Sequence, residues 1–240
     1  MHDQLRDLGR EIANQHSPYW LWQPQHIVNA HKQIEKRNAI QGIMADRMEL
    51  EIRRHRGESM DNICGVISSL APSLAELNVL VIRGGYWNHV IGQISRELVW
   101  LRWSSIGQRN LRVSLNNLRV LELYGAYSLE ELWEADNDAP VQLRELVIYN
   151  SFKFQRFPNS IGCLKELRKI VIEGNTKILS LPEEFCRLQS LEHLQLGCPE
   201  LLSLPSGFGN LRNLRYLNLY DCYRLMLTSE NFQHMTKLEF

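Results

Sequence analysis

The chain has 240 residues, 44% of them hydrophobic, enough to bury a sizeable core in one domain or two. Lysine plus arginine and aspartate plus glutamate both number 27, and the resulting zero net charge argues against nucleic acid or an anionic membrane as the main partner. No apolar run approaches the roughly 18 residues of a spanning helix, and the charged start MHDQLRDLGR lacks the apolar core of a signal peptide.

In chain order, residues 1 to 15 predict an amphipathic helix with Met1, Leu5, Leu8 and Ile12 on one face. Pro18 ends it, and SPYWLWQPQHIV reads as an irregular segment anchored by Trp20 and Trp22. A second helix is expected from His26 to Arg37, and a third from Met60 to Leu70 that uses Ile63, Ile67 and Leu70. Between them Arg53, Arg54, His55 and Arg56 form a basic run, either a solvated face or a specific anion site. Residues 1–70 therefore read as a short helical segment with a connector, and residues 71–240 as a separate unit.

From Leu77 onward one phrase, L-x-x-L-x-L, recurs: LNVLVI at Leu77, LVWLRW at Leu98, LRVLEL at Leu118, then LRELVI, LRKIVI, LEHLQL and LRYLNL at Leu143, Leu167, Leu191 and Leu214. Those last four starts are spaced by 24, 24 and 23 residues, and a second phrase runs between them: FPNSIGCL, LPEEFCRL and LPSGFGNL. A period in the twenties with this consensus predicts a leucine-rich repeat, a strand plus a short helix or 3₁₀ segment per repeat. The expected fold class is α/β: a leucine-rich-repeat solenoid with a curved parallel sheet on its concave side, preceded by the helical segment. One repeat cannot bury its apolar face alone, so neighbours stack. Ile170 and Ile172 share that face by strand alternation, which sends Arg168, Lys169, Val171 and Glu173 to the concave, solvent side. Pro158, Pro182 and Pro205 turn the chain away from the sheet. The apolar pairs three apart that follow (Ile161 and Leu164, Phe185 and Leu188, Phe208 and Leu211) suit 3₁₀ turns. EELWEADNDAP, from Glu130 to Pro140, is expected to be an exposed loop. The ninth repeat position, which favours Asn or Cys, holds Gly85, Ile106, Ala126, Ser151, Asn175, Pro199 and Cys222, predicting an irregular horseshoe. Leu238 opens an eighth repeat start.

Nothing in the chain spells catalysis. The eight histidines are scattered, no H-E-x-x-H or G-x-S-x-G motif is present, and no metal-ligand spacing occurs. The five cysteines, odd in number and without a C-x-x-C, read as reduced thiols in a cytoplasmic protein. A solenoid offers instead an extended concave surface for a protein partner. Two columns of that surface are candidates: Tyr124, Tyr149, Glu173, Gly197 and Tyr220, and Arg119, Arg144, Arg168, Glu192 and Arg215, with Trp100 and Tyr216 adding aromatic area. Tyr, Trp and Arg dominate binding hot spots. The alternative is that L-R is repeat grammar, that the tyrosines shield the sheet, and that Glu122, Glu145 and Asp221 neutralise the arginines.

The opening MHDQLRDLGREIA, the downstream YWLWQPQHIV, AIQGI at Ala39 and LVWLRW leading into L-P repeats together resemble the plant intracellular nucleotide-binding leucine-rich-repeat immune receptors, most closely those with an N-terminal TIR domain. The likeness covers nearly the whole chain. In that family M-H-D closes the nucleotide-binding module in a winged-helix subdomain. By resemblance His2 reads the phosphates of ADP and Asp3 helps hold the switched-off state; the alternative is that both cap a first helix. No G-x-x-x-x-G-K-[ST] loop is present, so no cofactor is expected in this chain, ADP or ATP belonging to the parent family. Residues 1–70 then correspond to the end of the nucleotide-binding module and a connector. The chain reads as a segment that starts where that module ends. The resemblance implies a recognition and autoregulatory module in plant defence, with a protein ligand, a signalling partner or the nucleotide-binding module itself as partner. A regulatory scaffold that masks a signalling partner is the other reading.

Overall fold

The computed structural model describes residues 20–21, 41–46, 77–83, 97–107, 109–111, 115–133, 139–174 and 177–239. The three expected helices, the basic run at Arg53, Asn175, and His2 and Asp3 lie outside the described residues. The strands are β1 (Trp20–Leu21), β2 (Gly42–Asp46), β3 (Val79–Arg83), β4 (Trp100–Ser104), β5 (Val120–Tyr124), β6 (Glu145–Tyr149), β7 (Lys169–Glu173), β8 (His193–Gly197) and β9 (Tyr216–Asn218). They form one sheet in chain order, and every neighbouring pair is parallel. The expectation of an irregular segment around Trp20 is corrected: Trp20–Leu21 pairs with Gly42–Ile43, so the sheet reaches back across the expected boundary at residue 71.

Each strand from β3 to β9 begins two residues after a repeat leucine, because the leucine enters the core at the bend before the strand. Leu77, Leu98, Leu118, Leu143, Leu167, Leu191 and Leu214 are all at most 1% exposed. Within the strands, alternation stacks Leu80, Leu101, Leu121, Leu146, Ile170 and Leu194 in one buried column. Trp103, Leu123, Ile148, Ile172 and Leu196 form a second. Fully burying each aliphatic side chain contributes about 1.5–3 kcal/mol, so the stacked columns are the main stabilising element of the solenoid.

The return path is made of 3₁₀ turns at Asn159–Cys163, Glu183–Arg187, Phe208–Asn210 and Ser229–Phe232. Pro158, Pro182 and Pro205 start the first three: each proline carbonyl accepts the first i→i+3 bond, at 3.0 Å from Ile161, Phe185 and Phe208. The residue with a fixed φ and no N–H sits where no donor is needed. In the fourth turn Thr228 takes that place, and its N–H donates to Asn231 Oδ1 at 2.8 Å. Ile161, Leu164, Phe185, Leu188, Phe208 and Leu211 are fully buried, so the threefold spacing pins the turns onto the core as expected.

Two expectations change. Leu132, Trp133, Ala139 and Pro140 are buried, and Trp133 Nε1 donates to Ser160 Oγ at 2.7 Å, so the described ends of EELWEADNDAP pack onto the core rather than standing exposed, while residues 134–138 lie outside the described residues. The turn out of the strand is also set differently. Ser105, Gly125, Asn150, Gly174 and Asp221 have left-handed φ values between 54° and 67°, and each precedes the ninth repeat position. The Leu191 repeat omits that left-handed residue, which is why it is 23 residues long. Cys198, not Pro199, holds the corner there: its carbonyl accepts from Leu201 at 3.1 Å, as those of Ala126, Ser151 and Cys222 accept from Leu129, Phe154 and Leu225. Cys222 Sγ donates to Leu196 O at 3.1 Å, linking successive corners.

Candidate binding surface

On the concave side the strands present three columns in register. The first holds Trp100, Val120, Glu145, Lys169, His193 and Tyr216; the second Arg102, Glu122, Val147, Val171, Gln195 and Asn218; the third Ser104, Tyr124, Tyr149, Glu173 and, from β8, Gly197. The outer columns close over the middle one. Glu122 and Val147 are 1% exposed and Val171 4%, which corrects the expectation that Val171 faces solvent. Side chains on the inside of a curved sheet converge, so the central column is shielded by its neighbours.

Polar contacts fix the outer columns. The Arg102 guanidinium lies 3.1 Å from the buried Glu122 carboxylate and 4.5 Å from the centre of the Tyr124 ring. Tyr124 stacks on Tyr149 at 5.2 Å with 22° between the rings. Burial, and then the charges of Glu173 and Glu122, push the Tyr149 hydroxyl above its ordinary range, so it stays a neutral donor. Lys169 reaches Glu145 at 3.8 Å, and Gln195 donates to Glu173. His193 stacks on Tyr216 at 4.2 Å and 9°; burial, then Lys169, lower its pKa and favour the neutral ring.

The predicted residues fall into two groups. Tyr124 and Tyr149 touch each other, and Trp100, half-buried, stands in the first column at the opposite end from Tyr216. Tyr220 is 76% exposed and sits in the turn after β9, with its N–H on Asn218 Oδ1 at 2.8 Å. Arg119, Arg144, Arg168 and Arg215 form an exposed row at the entry to the strands. Their partners are not those expected. Arg144 pairs with Glu166 at 2.9 Å, Arg168 with Glu192 at 3.7 Å and Arg215 with Glu239 at 3.8 Å. Glu122 instead faces Arg102, Glu145 faces Lys169, and Asp221 accepts from the Tyr223 hydroxyl. Sequence reading passed over Arg102 and His193; the signal for Arg102 was a charge opposite Glu122 at the same position of adjacent repeats.

Among the described residues no group of three or more His, Cys, Asp or Glu is placed to hold a metal ion. Burial and the charge of Glu183 push the Cys186 thiol up to about 11, and burial pushes Cys198 up to about 12, so both are protonated and weakly nucleophilic. No helix among the described residues is long and apolar enough to cross a membrane.

A parallel-sheet solenoid whose turns from β3 to β9 each carry one leucine-rich phrase defines a repeat protein of the scaffold class. The chain belongs to the leucine-rich-repeat family: the family described as "Leucine-rich repeat region" matches residues 101–240. Among solved structures it is similar to a leucine-rich-repeat protein of Leptospira interrogans, at 18% identity and a TM-score of 0.41, over 84% of this chain and 66% of that one. It is also similar to an internalin of Listeria monocytogenes, at 15% identity and a TM-score of 0.27, over 71% of this chain and 68% of that one. No curated protein matches the chain.

Proposed function

We propose that this chain is a protein-recognition module that reads its partner on the concave face, and that it does so as part of a plant intracellular immune receptor. The observation that carries the binding reading is the Arg102–Tyr124–Tyr149 stack, an aromatic and cationic ridge held on the solvent side of the sheet by buried charge. Such side chains supply area and a polar handle at low entropic cost. The receptor reading rests on the likeness of MHDQLRDLGREIA, YWLWQPQHIV, AIQGI and LVWLRW to that family. It brings a cytoplasmic setting, a defence role and an autoregulatory contact with a nucleotide-binding module. ADP binding belongs to that module: calorimetric titration of this chain is expected to give no micromolar affinity for ADP, and a measured affinity of that order overturns the assignment.

The decisive test substitutes Tyr149→Ala and, separately, Tyr220→Ala in a receptor carrying this chain beside an intact nucleotide-binding module. Ligand-triggered signalling and thermal stability are then measured together. Signalling lost with the melting temperature unchanged supports recognition on this face. Intact signalling in both variants moves the partner site to the loops or the convex side.

A further inference from the structure

Away from the sheet, the chain turns from each 3₁₀ segment back toward the next strand, and these returns line one lateral edge of the solenoid. Between the returns after Cys163, Arg187 and Asn210 lies an open cleft of about 520 Å³, bordered by Lys165, Glu183, Arg187, Gln189 and Arg212. Its acceptors are already engaged. The Arg187 carbonyl accepts from Lys165 Nζ at 3.2 Å; those of Cys186 and Asn210 accept from Gln189 Nε2 at 3.0 and 3.4 Å. The Glu183 carboxylate, the one acid among the described residues bordering the cleft, takes the Ser206 N–H at 3.0 Å and the Ser206 hydroxyl at 3.2 Å and keeps its single negative charge against three cations.

Its donors are not engaged in the same way. Arg102, Arg109, Arg144, Arg156, Arg168, Arg215 and Arg224 each face a glutamate. Lys165, Arg187 and Arg212 pair with no carboxylate among the described residues, and all three side chains are exposed. The ammonium group of Lys165 keeps two N–H donors beyond the one on Arg187, and each guanidinium keeps its full fork. One cleft thus gathers three cations from three successive turns, with a hydrogen bond already made to each of its nearest carbonyl acceptors.

We infer that this lateral cleft is a docking site for a phosphorylated serine or threonine side chain of a protein partner. A phosphate monoester brings close to two charges and three acceptor oxygens, matching three cations that line one cleft better than a carboxylate does. The cleft is too open to enclose a free metabolite, since small-ligand sites bury most of the ligand's surface. The anion therefore arrives attached to a chain whose other contacts fall on the neighbouring turns. The site is independent of the concave face, and Tyr149→Ala leaves it intact.

The test uses this chain labelled with ¹⁵N and two probes: a glycine-flanked phosphoserine nonapeptide and inorganic phosphate. The arginine Nε–H signals of Arg187 and Arg212 are expected to shift saturably with the phosphopeptide, while that of Arg119, also exposed and without a carboxylate partner among the described residues, stays put. Arg187→Ala and Arg212→Ala each weaken the phosphopeptide affinity by about tenfold, as expected for loss of one charge-assisted contact. The dephosphorylated peptide gives no saturable shift. Equal shifts at Arg119 would mean general screening and overturn the site. Inorganic phosphate binding as tightly as the phosphopeptide would overturn the protein partner and leave a free-anion site only. Unchanged affinity in the Arg187→Ala/Arg212→Ala double variant would place the contact elsewhere and sink the proposal.

Discussion

Replacing Arg102 by methionine tests the claim that the concave face is held by a buried charge. The Glu122 carboxylate has 2% of its side chain exposed, and the Arg102 guanidinium stands 3.1 Å away with 18% exposed. Methionine keeps the apolar stem over the Tyr124 ring but leaves the carboxylate without its cation. Breaking a fully buried pair costs about 3–5 kcal/mol; the partial exposure of the arginine brings this to roughly 2–4 kcal/mol, including about 0.5–1 kcal/mol for the lost cation–π contact. For a chain of this length each kcal/mol lowers the melting temperature by about 2–4 °C. A loss near 3 kcal/mol therefore appears as a fall of roughly 6–12 °C. Replacing both partners, Arg102→Met with Glu122→Leu, removes the desolvated charges together and is expected to return stability to within about 1 kcal/mol of the parent. Urea midpoints for the parent, both single variants and the double variant close the cycle. Single variants that each stay within about 0.5 kcal/mol of the parent, or a double variant equal to the sum of its singles, would refute the reasoning.

Three further outcomes follow from the same geometry. Ile172→Ala or Leu194→Ala, at fully buried column positions, lowers stability by about 2–5 kcal/mol in urea, whereas Lys177→Ala, exposed, stays within about 0.5 kcal/mol; equal midpoints would mean the register is wrong. Gly174 has φ +67°, and a Cβ there meets Asn150 Oδ1 at 2.4 Å, so Gly174→Ala costs about 1–3 kcal/mol. Gly197→Ala, whose nearest neighbour is 3.5 Å away, costs no more than about 1 kcal/mol, and the two variants unfold at the same urea concentration only if the left-handed corner is absent. The folded pKa of His193 lies below its ordinary 6.5, so the unfolded chain takes up that proton more readily; stability is complete above pH 6.5 and falls as the pH drops toward the folded value. His193→Gln flattens this acid limb in paired unfolding curves at pH 7.5 and 5.5, and an unchanged difference between the two pH values would remove His193 as its source.

Much of this was legible because the repeat letters and the core are the same thing. A leucine two residues ahead of a strand has one place to go, so β3 to β9 follow directly from the seven starts. Strands β1 and β2 escaped because Trp20–Leu21 and Gly42–Asp46 carry no L-x-x-L-x-L phrase, and pairing with a neighbour leaves no periodic mark. The Cys198 corner was misread for a different reason. One omitted residue shifts the count by one while keeping the hydrogen-bond pattern, so position number and structural role part company there. The central column was hidden by convergence: a strand pattern says which side a residue faces, not whether its neighbours leave it room. Val171 was the clue, an apolar letter at a position read as solvent-facing, and Val147 stands beside it in register. Trp133 followed the same logic, since an indole among acidic residues needs a partner and finds one in Ser160.

This convergence decides which residues are free to recognise anything. Glu122, Val147 and Val171 are sealed beneath the outer columns and serve the packing of the sheet. A partner approaching the concave side therefore meets the rims: Tyr124, Tyr149 and Glu173 on one side, Lys169, His193 and Tyr216 on the other, and Tyr220 standing clear at the turn after β9. The arginine row is a different resource. Arg144, Arg168 and Arg215 pair with glutamates while 47%, 63% and 57% exposed, and exposed pairs of this kind are worth at most about 1 kcal/mol. A partner carboxylate could replace the glutamate at little cost, so under the proposed function the row would contribute charge and encounter rate more than anchoring. In the proposed reading anchoring falls to the aromatic rims, where ring stacking holds the side chains in place and leaves little ordering entropy to lose.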